Sequence, residues 1–277
     1  MKSFTGTVVL RATMVALLFV ASRAAYANPR PLPFTYTYET LAQGDTEVEQ
    51  YFDFVPLKAI DLASGTPRWY GAMQFQTEVE LGVTNRLELA LYAVLAPSPG
   101  DSLTQTASLT ESNGVKQRLR YRIAEQGQLP LDIGLYGELV ENTQEIEVEA
   151  KLVLVKRFGN FRVATNLWVE TEFYFRGDRE LVLNPTLGMT YQVTPTFHFG
   201  IDSWMRKELV LDRSTRDQGG SFNRQAHVYA GPGVLFNFGR VWWANAVYAR
   251  IDELGRTMNP GDGFGNVWFR SILGVEL

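Results

Sequence analysis

From Glu47 to the C terminus, apolar and polar residues alternate with a period of two, segment after segment. Phe197 to Lys207 shows the pattern: Phe197, Phe199, Ile201, Ser203 and Met205 fall on one face, and His198, Asp202, Trp204 and Arg206 on the other. A period of two belongs to a β-strand. Twelve such segments are predicted: 47–55, 69–83, 87–95, 115–123, 131–140, 146–158, 161–175, 181–193, 197–210, 227–238, 240–252 and 265–277. Each is long enough to cross a membrane, since about 9–11 tilted residues suffice. A soluble sandwich also alternates, but it does not place aromatics near the turns on its apolar face through almost the whole chain. The pattern predicts an all-β fold in one domain, a closed antiparallel transmembrane β-barrel of about twelve strands. Lipid lies outside it and a polar lumen inside.

The connections agree. Short turns come at Thr84-Asn85-Arg86, Gly159-Asn160, Thr194-Pro195-Thr196 and Gly239, and longer links at 96–114, 211–226 and 253–264. Outer-membrane barrels have short periplasmic turns and longer outer loops, and an even strand count returns both ends to the periplasmic side. Near the short turns the outward faces carry Tyr121, Phe158, Phe161, Tyr191, Phe197, Phe236, Phe238 and Trp243, an aromatic girdle. Pro185 and Pro232 fall inside strands, where proline cannot donate to the ladder, and are read as bulges.

The start of the chain supplies the address. Lys2 gives a charged n-region, Met14 to Ala21 an apolar core, and Ala25-Tyr26-Ala27 a small-x-small cleavage site, so residues 1–27 read as a secretory signal. Residues 28–46 then form a lead-in and 47–277 the barrel. Of 277 residues, cleavage leaves 250. It removes three basic residues and no acidic one, leaving 23 Lys+Arg against 30 Asp+Glu, about −7. That balance gives no reason to expect nucleic acid as a partner. Cysteine is absent, which fits export. No apolar run past the signal reaches 18 residues, so no membrane helix is expected. In the lead-in, Phe34, Tyr36 and Tyr38 alternate with threonines. The stretch can add a strand, run along the periplasmic rim, or enter the lumen.

Glu80-Leu81-Gly82-Val83-Thr84-Asn85-Arg86-Leu87-Glu88-Leu89 resembles a strand–turn–strand of bacterial outer-membrane channel proteins, including the transporters grouped with the phenol meta-pathway. Gly188 to Pro195 is similar to a second copy of that turn, and Leu41 to Tyr51 to the lead-in of such barrels. The resemblance implies an outer-membrane barrel and names no substrate. The chain ends in Leu277, where such barrels commonly carry an aromatic residue.

Alternation also assigns the lumen. Lys116, Arg118, Arg120 and Arg122 form an inward basic ladder, next to Glu88, Ala90 and Tyr92 on one side and Asp132, Gly134, Tyr136 and Glu138 on the other. The end residues are expected to pair with carboxylates, and the middle two to face small residues and tyrosines. A hairpin at Gly159-Asn160 sets Glu149 opposite Glu170 and Glu147 opposite Glu172, like charges that destabilise one another unless water, a cation or arginines intervene. These eight residues are the expected charged constriction, as in selective pores. Small inward residues Gly231, Gly233, Ala244 and Ala246 are expected to leave space along one wall. A lumen closed by its own salt bridges is the alternative.

An enzyme is the third and weakest reading. His198 and His227 are the two histidines, near opposite ends of adjacent strands, without a serine in the pattern of outer-membrane lipases. The expectation is therefore a passive channel or transporter for small solutes, with no catalytic residue, cofactor or metal. Its partners would be outer-membrane lipid, the barrel-assembly machinery and a small solute.

Overall fold

The computed structural model describes residues 28–107, 113–212 and 225–277. The signal segment 1–27 and parts of the links 96–114 and 211–226 lie outside the described residues. The strands are β1 (Thr46–Asp61), β2 (Pro67–Thr84), β3 (Leu87–Leu95), β4 (Leu103–Thr104), β5 (Gly114–Arg122), β6 (Asp132–Asn142) and β7 (Glu145–Phe158). They continue as β8 (Phe161–Tyr174), β9 (Arg179–Leu183), β10 (Thr186–Thr194), β11 (Phe197–Asp212), β12 (His227–Asn237), β13 (Val241–Arg250) and β14 (Val267–Glu276).

They form a closed antiparallel barrel. β14 pairs with β1 from Glu47↔Glu276 to Phe54↔Phe269, so the first and last strands seal the ring. β9 and β10 pair with the same two neighbours, β8 and β11, and share one position. β4 pairs only with the tip of β1. The ring therefore has twelve positions. Closure is required because lipid cannot satisfy the open edge of a sheet.

Two prolines behave differently from the bulges expected of them. Asn166↔Thr186 and Val169↔Leu183 lie in one unshifted register, so Pro185 interrupts a strand without adding a residue. Pro232 pairs with Ile201 on one side, while the ladder to β13 skips Gly231 and Pro232 and resumes unshifted at Gly233↔Ala246. A missing donor costs one ladder bond and need not change the register. The register shifts fall at Gly82/Thr84, Gln192/Thr194 and Val210/Asp212. β1 also runs past the predicted end at Val55. Beyond Phe54 it has no β14 partner, so Pro56 sits where an edge tolerates proline.

Faces follow the alternation. On β13, Val241, Trp243 and Val247 are 37%, 45% and 46% exposed, while Trp242 and Tyr248 are fully buried. Tyr121, Phe158, Tyr191, Phe238 and Trp243 stand exposed beside the periplasmic turns. At the tightest of these turns Phe158 pairs with Phe161. Gly159 takes φ +61° there and Asn160 does not go positive, the pattern of a type II′ hairpin turn. The length rule holds only in part. Outer hairpin 143–144 is short, and periplasmic link 123–131 is long.

Candidate functional site

The lumen is the site, and the lead-in runs into it. Leu32, Phe34, Thr35, Tyr36, Thr37 and Tyr38 are all buried inside the barrel. This stretch has no strand ladder, so its backbone groups need other partners. Wall side chains supply them. Asp202 accepts from the Phe34 amide at 2.9 Å and the Thr35 hydroxyl at 2.6 Å. Asn166 accepts from the Tyr36 amide at 2.8 Å and donates to the Tyr36 carbonyl at 3.0 Å. Glu88 accepts from the Leu41 amide at 2.8 Å. Gly44 N then donates to Gly82 O at 2.8 Å, and a Cβ on Gly82 would run into the Ala42 carbonyl.

Two aromatic anchors hold the bend. Phe34 packs on Trp204, Tyr248 and Trp268, with the Arg270 guanidinium 3.8 Å from its ring centroid. The Tyr36 ring has Arg30 at 3.8 Å, Lys151 at 4.9 Å and Arg120 at 5.6 Å. Cations over an aromatic face are attracted to its quadrupole. The wall of small residues expected to leave a path is therefore filled: Ala246 belongs to the Phe34 cluster, and Pro33 lies against Gly233.

At the periplasmic rim Glu39 meets Arg157 and Arg162, the latter at 3.3 Å. Burial raises the Glu39 carboxyl, but the two arginines outweigh it and hold it below the ordinary carboxylate value. Burial also pushes the Tyr38 hydroxyl up to about 12, and the nearby carboxylates of Glu39 and Asp132 add to the shift.

The basic ladder points inward, but its pairing differs from expectation. Arg118, one of the middle two, is the most heavily paired. Arg118 reaches Glu78 and Glu80 at 2.6 Å and Glu88 at 2.5 Å, and donates to the Tyr92 hydroxyl at 2.7 Å. The reason lies in one register row, Glu80↔Ala90↔Arg118. Alanine on the strand between leaves the guanidinium free to cross it. Arg120 pairs with Glu88 at 3.2 Å and donates to the carbonyls of Thr37 and Glu39. Arg122 pairs with Glu125 at 3.1 Å and donates to Asn85 O at 2.6 Å, at the rim. Lys116 lies 3.6 Å from Glu138.

Above the lead-in is a cavity of about 110 Å³, with Phe34 and Tyr36 in its lining. Glu147, Glu149, Glu170 and Glu172 line it together with Lys116, whereas Arg118, Arg120 and Arg122 do not. The pairs Glu147↔Glu172 and Glu149↔Glu170 stand directly opposite. Their repulsion is met by two cations. Lys151, two residues beyond Glu149 on the same face, lies 2.7 Å from it. Arg206, from β11, lies 3.0 Å from Glu170, 2.6 Å from Glu172 and 3.2 Å from Glu208. Alternation marks both cations as inward. Their partners depend on which strands lie side by side.

Solved structures share this architecture. An outer-membrane channel from Pseudomonas putida F1 matches with a TM-score of 0.53 at 14% identity, covering 87% of this chain and 98% of that one. The NanC porin matches at 0.55 and 11% identity, covering 84% of this chain and all of that one. The fold is that of outer-membrane channels. No family model matches the chain, and no curated protein matches it.

Proposed function

We propose that this protein is a passive outer-membrane channel for small polar solutes, held narrow by its own residues 28–45. Residues 1–27 act as the export signal. Lipid surrounds the barrel, and the assembly machinery inserts it. One observation carries the reading: a closed barrel with an apolar outer face has a charge-lined cavity inside, with a non-covalently held segment of the same chain lying in the lumen beside it. The constriction consists of Glu147, Glu149, Glu170 and Glu172 facing Lys116, Lys151 and Arg206, with the Arg118 network as its fixed wall.

The protein acts without catalysis in this reading. His198 sits opposite Leu235 and His227 opposite Arg206, eight residues apart along β12. That is roughly 26 Å at ~3.3 Å per residue, too far for one histidine to help the other. The buried Arg118 network favours a second reading, a structural barrel closed for good.

Planar-bilayer conductance separates the two. The parent should give small or infrequent current steps. Phe34→Ala/Tyr36→Ala, which removes both anchors and leaves the barrel wall intact, should raise conductance severalfold. Absence of steps from both proteins would leave the structural barrel standing.

A further inference from the structure

The outgoing leg of the lead-in starts at Asn28, the residue that cleavage after Ala27 would place first. The Asn28 backbone nitrogen donates to the Glu47 carboxylate at 3.1 Å, and its side-chain amide donates to the Glu39 carbonyl at 3.3 Å. This leg keeps step with β1. Two residues on, Arg30 pairs with Glu49 at 3.3 Å and donates to the Tyr51 hydroxyl. Pro29, Pro31 and Pro33 stiffen the leg, since each proline fixes φ and brings no N–H to be satisfied. The Phe34 anchor at its inner end therefore helps to set where Asn28 lies.

Glu47 needs a positive charge that the wall does not provide. It is fully buried. In register it stands between Glu80 of β2 and Glu276 of β14, with Glu49 two positions along the same face. Arg118 answers Glu80 at 2.6 Å, and Arg30 answers Glu49. Among the described residues no lysine, arginine or histidine pairs with Glu47, and its other donor is the neutral indole of Trp242. A buried carboxylate is costly unless it is paired and hydrogen-bonded. The group in place is the Asn28 nitrogen. In the uncut chain it is a neutral amide with one N–H. Hydrolysis of the Ala27–Asn28 bond consumes one water. The water oxygen completes the Ala27 carboxylate, and both water hydrogens end on the Asn28 nitrogen. That nitrogen becomes an ammonium with three N–H donors and a full positive charge, since an α-amino group is ordinarily protonated below about pH 8.

We propose that Glu47 is the receptor for the amino group that export cleavage creates. The Asn28 ammonium pairs with the Glu47 carboxylate and fastens the outgoing leg inside the lumen. The inference rests on the reading of residues 1–27 as the export signal. Two independent observations meet at one residue: the small-x-small site comes from the sequence, and the contact with a buried carboxylate comes from the fold. The lead-in is fully fastened only once the signal is gone. A chain with a longer start, or with a blocked amine, holds it less firmly.

The test reads the amine directly. The protein exported to the outer membrane is purified folded, and mass spectrometry of its first peptide identifies the start, expected at Asn28. The folded protein is then treated with acetic anhydride at pH 7, and acetylation of the Asn28 amine is followed in the same peptide. The amine should react at least tenfold more slowly in the parent than in Glu47→Gln. A heat-modifiability gel confirms that the variant is folded. A second chain, refolded with one glycine ahead of Asn28, leaves every wall residue in place and decides the matter if Glu47→Gln does not fold. Chymotrypsin should cut it after Phe34, Tyr36 and Tyr38 severalfold faster than the parent. Equal acetylation rates in parent and folded Glu47→Gln, or equal chymotrypsin rates in parent and glycine-extended chain, overturn the inference and leave the export signal standing. A start elsewhere than Asn28 overturns both.

Discussion

Arg118 shows how a single inward arginine can become the centre of half a lumen. Its guanidinium is fully buried against Glu78, Glu80 and Glu88. Removing one partner of a buried ionic network leaves the others uncompensated, and typically costs about 3–5 kcal/mol. Arg118→Met should therefore lower barrel stability by about that amount, measured as the urea midpoint of the refolded protein. Adding Glu80→Gln and Glu88→Gln should recover part of the loss, because fewer charges are then stranded. An unchanged midpoint in Arg118→Met would mean that water reaches the carboxylates and the network is solvated. The ladder itself was legible, since Lys116, Arg118, Arg120 and Arg122 alternate with apolar residues. Its pairing was not. It needs the register of three strands at once, and it turns on Ala90 being small enough to let Arg118 past. The same holds for Arg206, visibly inward in the sequence but matched to Glu170 and Glu172 only once β11 and β8 are known to face a common space.

At the scale of elements, the strands could be read because the period of two survives wherever one face meets lipid and the other the lumen. Their ends could not. The first strand was predicted to end at Val55, yet β1 continues through Pro56, where β2 runs beside it and β14 does not. Pro185 and Pro232 looked like bulges and leave the register unshifted. The face assignment makes a sharp prediction on β13. Val247 points outward and its neighbour Ala246 into the Phe34 cluster. Val247→Arg should cost about 2–4 kcal/mol in a bilayer and much less in detergent, where headgroups and water reach the side chain. Ala246→Arg should fail in both settings, because it overfills a packed interior whatever surrounds the barrel. Equal losses for Val247→Arg in bilayer and detergent would show that Val247 does not face lipid.

The whole molecule is a barrel with a bent segment inside it, and that bend was the least legible feature. Alternation of Phe34, Tyr36 and Tyr38 with threonines says extended chain and no more. The residues that hold it, Asp202 and Asn166, are more than a hundred positions away. Its return leg ends at the rim, where Glu39 meets Arg157 and Arg162. Because the folded Glu39 carboxyl is held below its ordinary value, the ionised form favours the docked segment. That contribution is fully present above the unfolded value near 4.5 and is lost as pH falls through the lower folded value. Acidification should therefore loosen the return leg, and a rise to alkaline pH should not act through this group. In planar bilayers the parent should conduct more below about pH 4.5 than at pH 7. Other carboxylates titrate in the same window, so the comparison that isolates the latch is Glu39→Gln. That variant has no charge to lose. It should already conduct at pH 7 more than the parent does, and its rise on acidification should be smaller. An identical pH profile in parent and Glu39→Gln would assign the acid response to the lumen glutamates and leave Glu39 as a rim contact without control over the passage.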